Sequence, residues 1–244
     1  MAISTTPYKG TRDFYPEDFR VRQYIFDTWV KTCLQFGYEQ YDASIVESLE
    51  LYQAKTSEEI VSEQTYAFED RGGRAVTFRP EMTPTVSHMI AARRQELAYP
   101  VRWFSIPNVW RYERPQRGRL REHWQLNVDV FGIDNSSADY EVIALADAIM
   151  QAFGAKREMY TIRLNSRKLI NYIMADYLQL DEAEATTIIR LIDRKDKIEY
   201  AEFSALVSAS ISPSQREEHA TDEKLLELLS ITSLDQLPSD IAQH

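Results

Sequence analysis

The chain has 244 residues, of which 28 are Lys or Arg and 38 are Asp or Glu, so its formal net charge at pH 7 is −10. This charge argues against a simple cationic nucleic-acid clamp. With 44% hydrophobic and 27% charged residues, the composition is typical of a globular protein and excludes a disordered tail, a collagen-like repeat and a membrane bundle.

Apolar periodicity and turn residues predict the elements of the first part of the chain. In order, they are a helix over 16–36, a strand over 38–46, a helical turn over 47–52, strands over 66–69 and 75–78, a helix over 83–97, strands over 101–112 and 124–132, a helix over 137–153 and a strand over 160–164. The paired glycines at 72 and 73 tolerate positive φ and predict a β-hairpin. The two long strands are expected to pair antiparallel.

Mainly helices are predicted from residue 166 onward. Their ranges are 166–178, 181–192, 196–208 and 222–229. The fold class is therefore α+β, with a core over residues 1–164 and a helical segment over residues 165–244. The helical segment is acidic, because residues 133–244 carry 11 basic and 20 acidic side chains, against 17 and 18 in residues 1–132.

Cysteine use and hydropathy bear on the compartment. Cys33 is the single cysteine, so no internal disulfide can form, which fits a reducing environment. Residues 1–9 show no apolar signal region after a basic cluster, and no stretch of about 18 uninterrupted apolar residues occurs. We therefore expect a cytoplasmic protein with no membrane partner. The four histidines show no paired spacing for a metal, so no protein metal site is predicted.

Arg111 and Glu113 lie where the first long strand meets its loop. Side chains alternate along a strand, so the two residues share a face. Arginine can fork onto a phosphate or a carboxylate, and glutamate can accept a hydrogen bond from an exocyclic amine such as that of adenine. From these residues alone, a surface salt bridge between Arg111 and Glu113 is the simpler interpretation.

The loop that follows is rich in arginine. Residues 114–121, named here the arginine loop, contain four arginines and no acidic residue. Repulsion among these guanidinium groups is unfavourable unless an anion or water separates them. A nucleic acid, a nucleotide and an acidic protein all qualify as that anion, and a solvated hairpin tip is the alternative.

Four segments, in this order over residues 8–132, resemble the histidyl-tRNA synthetases, a class II family. They are Lys9-Gly10-Thr11-Arg12-Asp13-Phe14, Tyr66-Ala67-Phe68-Glu69-Asp70-Arg71, Phe78-Arg79-Pro80-Glu81-Met82-Thr83, and Trp110-Arg111-Tyr112-Glu113 with the arginine loop, Gln125 and Val130-Phe131-Gly132. Residues 164–168 and 190–197 also resemble the family, so the similarity spans about 8–200.

The resemblance implies a class II synthetase-like antiparallel sheet flanked by helices. It also implies an activity, in which ATP with Mg²⁺ and histidine form histidyl-adenylate, and the histidyl group then moves to the acceptor end of tRNA(His). No prosthetic group is implied. A homodimer is expected, although Ser44 stands where the family's dimer-forming first motif usually has proline.

Site residues follow from the same resemblance, position by position. Arg111 would be the catalytic residue and hold the α-phosphate and the amino-acid carboxylate. Glu113 would accept from the adenine amino group, and Arg119 would reach the outer phosphates. His123 stands where the family has a phenylalanine that stacks on adenine, and its titration near pH 6.5 could make ATP binding depend on pH.

The resemblance also implies a histidine-binding group. Four residues would surround the ammonium group of the substrate: Glu81, Thr83, Gln125 and Asp129. Each has an ordinary structural alternative: Glu81 and Thr83 could cap the helix that follows, and Gln125 and Asp129 could be solvent-facing strand residues. Asp129 is one methylene shorter than the family's common glutamate.

Parts of the family pattern have no counterpart in these 244 residues. They include the third class II motif with its ATP-binding arginine and the anticodon-binding domain. We therefore expect a piece of a longer synthetase, inactive or weakly active by itself. A non-catalytic regulatory subunit of ATP phosphoribosyltransferase is the main alternative, although such chains often carry aspartate at the position of Glu81. A generic adenine-nucleotide or RNA-binding module is a further one.

Overall fold

The computed structural model describes residues 4–53, 64–231 and 233–242. The chain divides into two compact units, residues 1–161 and 162–244. Each unit has its own hydrophobic core, described below. In the described ranges, no helix is long and apolar enough to cross a membrane.

The first unit opens with helix α1, Pro16–Gln35. Pro16 stands in the first turn, where the missing N–H costs no hydrogen bond. The helix ends at Gln35, and Gly37, whose φ is +80°, lets the chain reverse so that the Tyr38 amide donates to the Cys33 carbonyl at 3.1 Å. This helix confirms the prediction over 16–36 to within one residue.

A long antiparallel hairpin forms the centre of the first unit. Its strands are β5 (Val101–Ser105), β6 (Asn108–Trp110), β7 (Glu122–Trp124) and β8 (Asn127–Phe131). β5 pairs with β8 and β6 with β7, and the register is the same on both sides of the short break. The predicted antiparallel pairing is therefore confirmed, although each long strand is interrupted near its middle.

The predicted strand over 38–46 is largely wrong. Only β1 (Glu39–Gln40) and β2 (Val46–Ser48) pair as strands, β1 running parallel to β5. Between them, the Tyr41 amide still donates to the Phe104 carbonyl of β5 at 2.9 Å, but the residues that follow bond to Arg79. Arg79 Nη1 donates to Asp42 Oδ1 at 3.0 Å and to the Ala43 carbonyl at 2.8 Å. A buried arginine thus replaces the ladder hydrogen bonds that the sequence pattern suggested.

A second, three-stranded antiparallel sheet has the order β2–β4–β3. β3 is Tyr66–Glu69 and β4 is Ala75–Phe78, which confirms the predicted hairpin. Asp70 Oδ1 accepts from the amides of Gly72 and Arg74, and Arg74 pairs with the same carboxylate. These bonds hold the Asp70 pKa below its usual value, chiefly through Arg74. Helix α2 (Leu49–Gln53) lies between β2 and β3 in the chain.

The two faces of the β5–β8 pair carry different packing. On one face, Phe104 packs with Cys33 of α1 and with Leu145 of helix α4, Ser136–Ala152. On the other face, Val101 packs with Val86 and Ile90 of helix α3, Thr83–Ala92. The sequence predicts that α3 reaches residue 97, but its backbone leaves the helical region at Arg93, with φ −122°.

The second unit is helical, as predicted. Its helices are α5 (Arg167–Tyr172), continued by a π-helical turn over Ile173–Tyr177, then α6 (Glu182–Ile192), α7 (Tyr200–Ala209), α8 (Pro213–His219), α9 (Thr221–Leu228) and α10 (Ser239–Ala242). Ile188, Phe203 and Val207 lie in its buried core. The polar α8 lacks an apolar repeat and was not predicted.

The strand predicted over 160–164 is wrong. Residues 160–164 form no strand, and two of their side chains bond to other parts of the chain. The Tyr160 hydroxyl donates to Asp147 of α4, and Arg163 pairs with Asp196 at 2.6 Å. Alternation of apolar and polar residues was therefore insufficient without a neighbouring strand to pair with.

Candidate active site

Arg111 directly follows β6 and is held by its backbone and its side chain. Its amide donates to the carbonyl of Arg121 at 2.8 Å, which extends the hairpin register by one more pair. Its Nε donates to the Pro80 carbonyl at 2.9 Å. A guanidinium has five N–H donors, so this anchor uses one and leaves the group capable of binding an anion. Arg111 is therefore fixed beside the Arg-Pro-Glu segment.

That segment is positioned by Arg79, whose residue surface is only 4% exposed. Arg79 Nε donates to the Asn108 carbonyl at 2.9 Å, in addition to the bonds that its Nη1 makes near Asp42. The Trp110 amide in turn donates to the Arg79 carbonyl at 3.0 Å. Residues 79–81 are thus tied to the β6 strand that precedes Arg111.

Glu113 pairs with Arg119 and not with Arg111. Arg119 Nη2 donates to Glu113 Oε1 at 2.8 Å, and its Nε donates to Oε2. The Glu113 side chain is 11% exposed, whereas that of Arg119 is 61% exposed. The simpler interpretation, a salt bridge between Arg111 and Glu113, is therefore wrong. Glu113 and Arg119, which are both assigned to ATP binding, instead pair with each other.

The arginine loop is a tight turn preceded by a bulge. Gln116 and Arg119 exchange two backbone hydrogen bonds of 3.0 Å, and Gly118 has φ +78° at the tip. Between this pair and the Arg111–Arg121 pair, residues 112–115 on one side face only Leu120 on the other. The extra residues form a bulge that turns Glu113 out of the regular strand pattern.

Arg121 differs from the other arginines of this region. It is 7% exposed, and its guanidinium carbon lies 3.9 Å from the ring centroid of Tyr112. Its Nε donates to the Glu113 carbonyl at 3.0 Å, and its Nη1 donates to the Tyr8 hydroxyl at 3.2 Å. From the sequence, all the arginines of this region are equal candidates for binding an anion. In the structure, Arg121 is buried and the other arginines of the loop are exposed.

His123 lies on β7 opposite Val109. Burial lowers the pKa of its imidazole, and the nearby Arg111 and Arg119 lower it further, while Glu113 opposes them. Arg111, Glu113 and Arg119 therefore all lie within electrostatic reach of His123. All the residues assigned to ATP binding meet at one place beside the arginine loop.

Gln125 and Asp129 follow along the same strand as His123. Gln125 Nε2 donates to Asn127 Oδ1 at 2.6 Å, which places their side chains on one face. Asp129 accepts from the Tyr41 hydroxyl at 3.4 Å. Burial raises the pKa of the Asp129 carboxyl, and the Tyr41 hydrogen bond only partly opposes this effect. Asp129 is therefore a half-buried carboxylate and not a solvent-facing strand residue.

Glu81 and Thr83 enter helix α3 on the same face of the sheet as Asp129. Asp129 pairs across the ladder with Trp103, which packs against the α3 cluster of Val86 and Ile90. Met82 is the N-cap of α3 and no side chain caps it, so the alternative interpretation of Thr83 as an N-cap is wrong. The Glu81 carbonyl accepts from the hydroxyl of Tyr52 at 3.4 Å.

A groove of about 710 Å³ opens between α1 and the arginine loop. Arg22 of α1 lies at its edge, with its guanidinium carbon 4.2 Å from the Phe14 ring centroid and 4.5 Å from that of Trp124. His123 borders the groove as well. No sequence pattern predicts this groove, because its walls come from segments about 100 residues apart.

Metal ligands do not gather anywhere in residues 4–53, 64–231 and 233–242. In these ranges, no three His, Cys, Asp or Glu side chains lie close enough to hold an ion together. The site is instead rich in guanidinium groups, which bind phosphate oxygens directly.

Comparison with known proteins assigns the family. A family model described as histidyl-tRNA synthetase matches residues 10–236. The chain belongs to the histidyl-tRNA synthetase family. Histidine–tRNA ligase from Leptospira biflexa is 47% identical over 236 residues, which cover 97% of this chain and 54% of that protein. The chain therefore spans about half the length of the curated relatives that it matches.

Solved structures agree with this family at the level of the fold. Histidyl-tRNA synthetase from Nostoc sp. PCC 7120 matches with a TM-score of 0.80 and 23% identity, covering 96% of this chain and 52% of that one. A protein described as an ATP phosphoribosyltransferase regulatory subunit/histidyl-tRNA synthetase from Bacillus halodurans matches with a TM-score of 0.70 and 20% identity, covering 94% and 65%. The class II synthetase-like fold is therefore confirmed.

Proposed function

We propose that this chain supplies the ATP- and histidine-binding part of a histidine–tRNA ligase. The reaction joins histidine to the α-phosphate of ATP, releases pyrophosphate, and passes the histidyl group to the acceptor end of tRNA(His). The observation that carries the proposal is the meeting of Arg111, Glu113, Arg119 and His123 at one edge of the hairpin, in a chain of this family.

The ATP side rests on this geometry. Arg111 is anchored through Nε to Pro80, so its remaining N–H groups can fork onto the α-phosphate and offset charge that develops during in-line attack. Glu113 accepts from the adenine amino group, and Arg119 contacts the outer phosphates. Both roles require the Glu113–Arg119 ion pair to open when ATP binds, exchanging one set of charge-assisted bonds for another.

The histidine-binding part of the proposal is supported by the position of four residues on one face of the sheet. Glu81 and Thr83 enter α3, and Gln125 and Asp129 lie on or beside β8. Carboxylates and amide oxygens are suitable acceptors for an ammonium group. The partial burial of Asp129 strengthens such an interaction, because the local dielectric is lower than that of water.

Three further parts of the proposal concern surroundings and assembly. Mg²⁺ enters with ATP and neutralises phosphate charge, so the protein need not hold it by a ligand cluster of its own.

The protein acts in the cytoplasm. It forms a homodimer, supported by exposed apolar side chains on α1, among them Val21 at 63% and Tyr24 at 58% exposure.

The domain roles follow the predicted division. We assign residues 1–164 to the catalytic core and residues 165–244 to an insertion-like helical segment. The compact units of the structure divide three residues earlier, between Thr161 and Ile162. We favour the ligase over a regulatory subunit because the Leptospira biflexa relative is a histidine–tRNA ligase, and because Glu81 retains the carboxylate length of the Arg-Pro-Glu pattern.

The test is histidine-dependent ATP–pyrophosphate exchange by the protein expressed from its whole reading frame. Replacing Arg111 by alanine is expected to lower kcat/KM by at least about a hundredfold, because charge on the α-phosphate is no longer offset. Arg94→Ala, an exposed arginine beyond α3, is the matched control and should retain full activity. Absence of exchange in the wild type, or undiminished exchange in Arg111→Ala, would contradict the ligase.

A further inference from the structure

Arg121 has a structural environment unlike that of the exposed arginines in the same loop. Its 7% exposure contrasts with 61% for the Arg119 side chain. A buried guanidinium needs hydrogen-bond partners to offset its desolvation. Arg121 finds them in the Glu113 carbonyl and the Tyr8 hydroxyl, and it stacks on the ring of Tyr112. Its partners therefore include the two residues that directly follow Arg111.

Glu113 has little other backbone support. It lies in the bulge over 112–115, where regular strand pairing is absent. Its amide donates to the Arg111 carbonyl at 2.8 Å in a tight local turn, and its carboxylate is held by the exposed Arg119. The bond from Arg121 Nε to the Glu113 carbonyl therefore fixes the peptide from which the carboxylate projects.

The amino-terminal segment completes this arrangement. The Arg121 amide donates to the Gly10 carbonyl at 2.7 Å. A Cβ atom at Gly10 would lie 2.7 Å from Arg121 Cγ, and the φ of Gly10 is +87°. Glycine at this position therefore gives the Arg121 side chain the space to lie against the backbone. The segment around Gly10 thus acts as one wall of the Arg121 site.

We propose that Arg121 is a positioning residue that orients Glu113 for recognition of the adenine amino group. This inference rests on the proposed function, in which Glu113 accepts from that amine. Arg121 itself touches no substrate in this scheme. Arg121 affects which nucleotide base is preferred, because a displacement of the Glu113 carboxylate by about 1 Å is enough to lose its hydrogen bond to the adenine amino group.

The experiment compares ATP with purine riboside triphosphate, which lacks the amino group, in histidine-dependent pyrophosphate exchange by the whole encoded protein. Wild type should prefer ATP, and Glu113→Ala should lose most of that preference. Arg121→Lys keeps the charge but loses the planar fork and the stacking. We expect it to reduce the ATP preference by about tenfold or more, with the KM for histidine unchanged.

A double variant and a matched control separate positioning from general stability. In the Glu113→Ala background, Arg121→Lys should cause no further loss of preference, because the two residues act as one unit. Arg102→Lys removes another bidentate arginine–carboxylate pair on the same hairpin. In that pair, Arg102 Nε donates to Glu141 Oε1 at 2.7 Å. It should lower the melting temperature and leave the base preference unchanged.

The possible failures can be told apart. If Arg121→Lys lowers only the melting temperature, while Glu113→Ala loses the ATP preference, the positioning role is overturned and the proposed function stands. If wild type shows no exchange, the proposed function itself fails. If Arg121→Lys does not fold, Gly10→Ala provides a second displacement of the Arg121 side chain, and an unchanged base preference in that variant overturns the inference equally.

Discussion

Single side chains in the candidate site have environments that set their charge. His123 is a clear case, because burial and two neighbouring arginines lower its pKa. The imidazole is therefore neutral near pH 7, which suits stacking on a base. The sequence alone predicts a titration near pH 6.5, and burial together with the two neighbouring arginines moves this titration to lower pH.

The first prediction concerns the pH dependence of stability. Because the folded-state pKa of His123 lies below its unfolded value, the stability from the neutral ring is present above about pH 6.5 and is lost as the pH falls through the folded pKa. His123→Phe should remove this part of the acid dependence. Urea unfolding across the pH range measures it, with His88→Phe as the control for a general ring substitution. Identical pH profiles for wild type and His123→Phe would refute the expectation.

The second prediction concerns Asp129, whose pKa is raised by burial. The ionised carboxylate therefore costs folding stability at neutral pH, and this cost disappears as the pH falls toward about 4. Asp129→Asn should be more stable than wild type at pH 7, yet raise the KM for histidine by about tenfold or more. Thermal unfolding and exchange kinetics measure the two effects. Asp134→Asn, which removes an exposed charge near β8, should change neither by a similar amount.

At the scale of elements, the arginine loop depends on a remote glycine. Gly10 and Gly118 both have positive φ, but a Cβ would collide with Arg121 at Gly10, whereas nothing lies within 4 Å of a Cβ at Gly118. A comparison of alanine variants at the two positions therefore distinguishes backbone strain, which both share, from the displacement of the Arg121 side chain, which only Gly10→Ala causes.

The third prediction uses this pair. Gly118→Ala should cost about 1–2 kcal/mol of unfolding free energy through its left-handed backbone alone. Gly10→Ala should cost about 1–3 kcal/mol more, because it also displaces packed atoms of Arg121. Chemical denaturation of both variants measures the difference. Equal destabilisation would show that Arg121 yields without cost and that the close approach at Gly10 has little energetic weight.

At the scale of the whole molecule, the described residues form two units with separate cores. Leu145 belongs to the core of the first unit and Ile188 to that of the second, and each is at most 1% exposed. The core cluster of the helical unit consists of buried apolar residues within 174–225. This separation makes the stability of each unit experimentally accessible.

The fourth prediction follows from these cores. Ile188→Ala should destabilise the second unit by about 2–5 kcal/mol, through lost burial and the cavity that remains. Hydrogen exchange should accelerate over 167–228 and change little over 16–152. Leu145→Ala should produce the reverse pattern. Acceleration throughout the chain in both variants would mean that the units unfold together.

The sequence by itself determined much of this protein. Motif order identified the family, and local signals located the helices over 16–35 and 182–192 and the hairpin turn at Asp70. These features depend on nearby residues: Pro16 in a first turn, Asp181 at the N-cap of α6, where its side chain accepts from the Glu184 amide, and the glycine pair at 72 and 73. The antiparallel pairing of the long strands was also predictable, because one loop joins them.

Only the tertiary structure decided which charged residues meet. It paired Glu113 with Arg119, buried Arg121 under Tyr112, and replaced a predicted strand by bonds from Arg79. Five arginines within eleven residues look alike in a sequence, because their burial depends on segments such as residues 8–11 that are distant in the chain. Sequence thus determined the chemistry available to the site, and packing between remote segments determined which groups remain exposed to bind an anion.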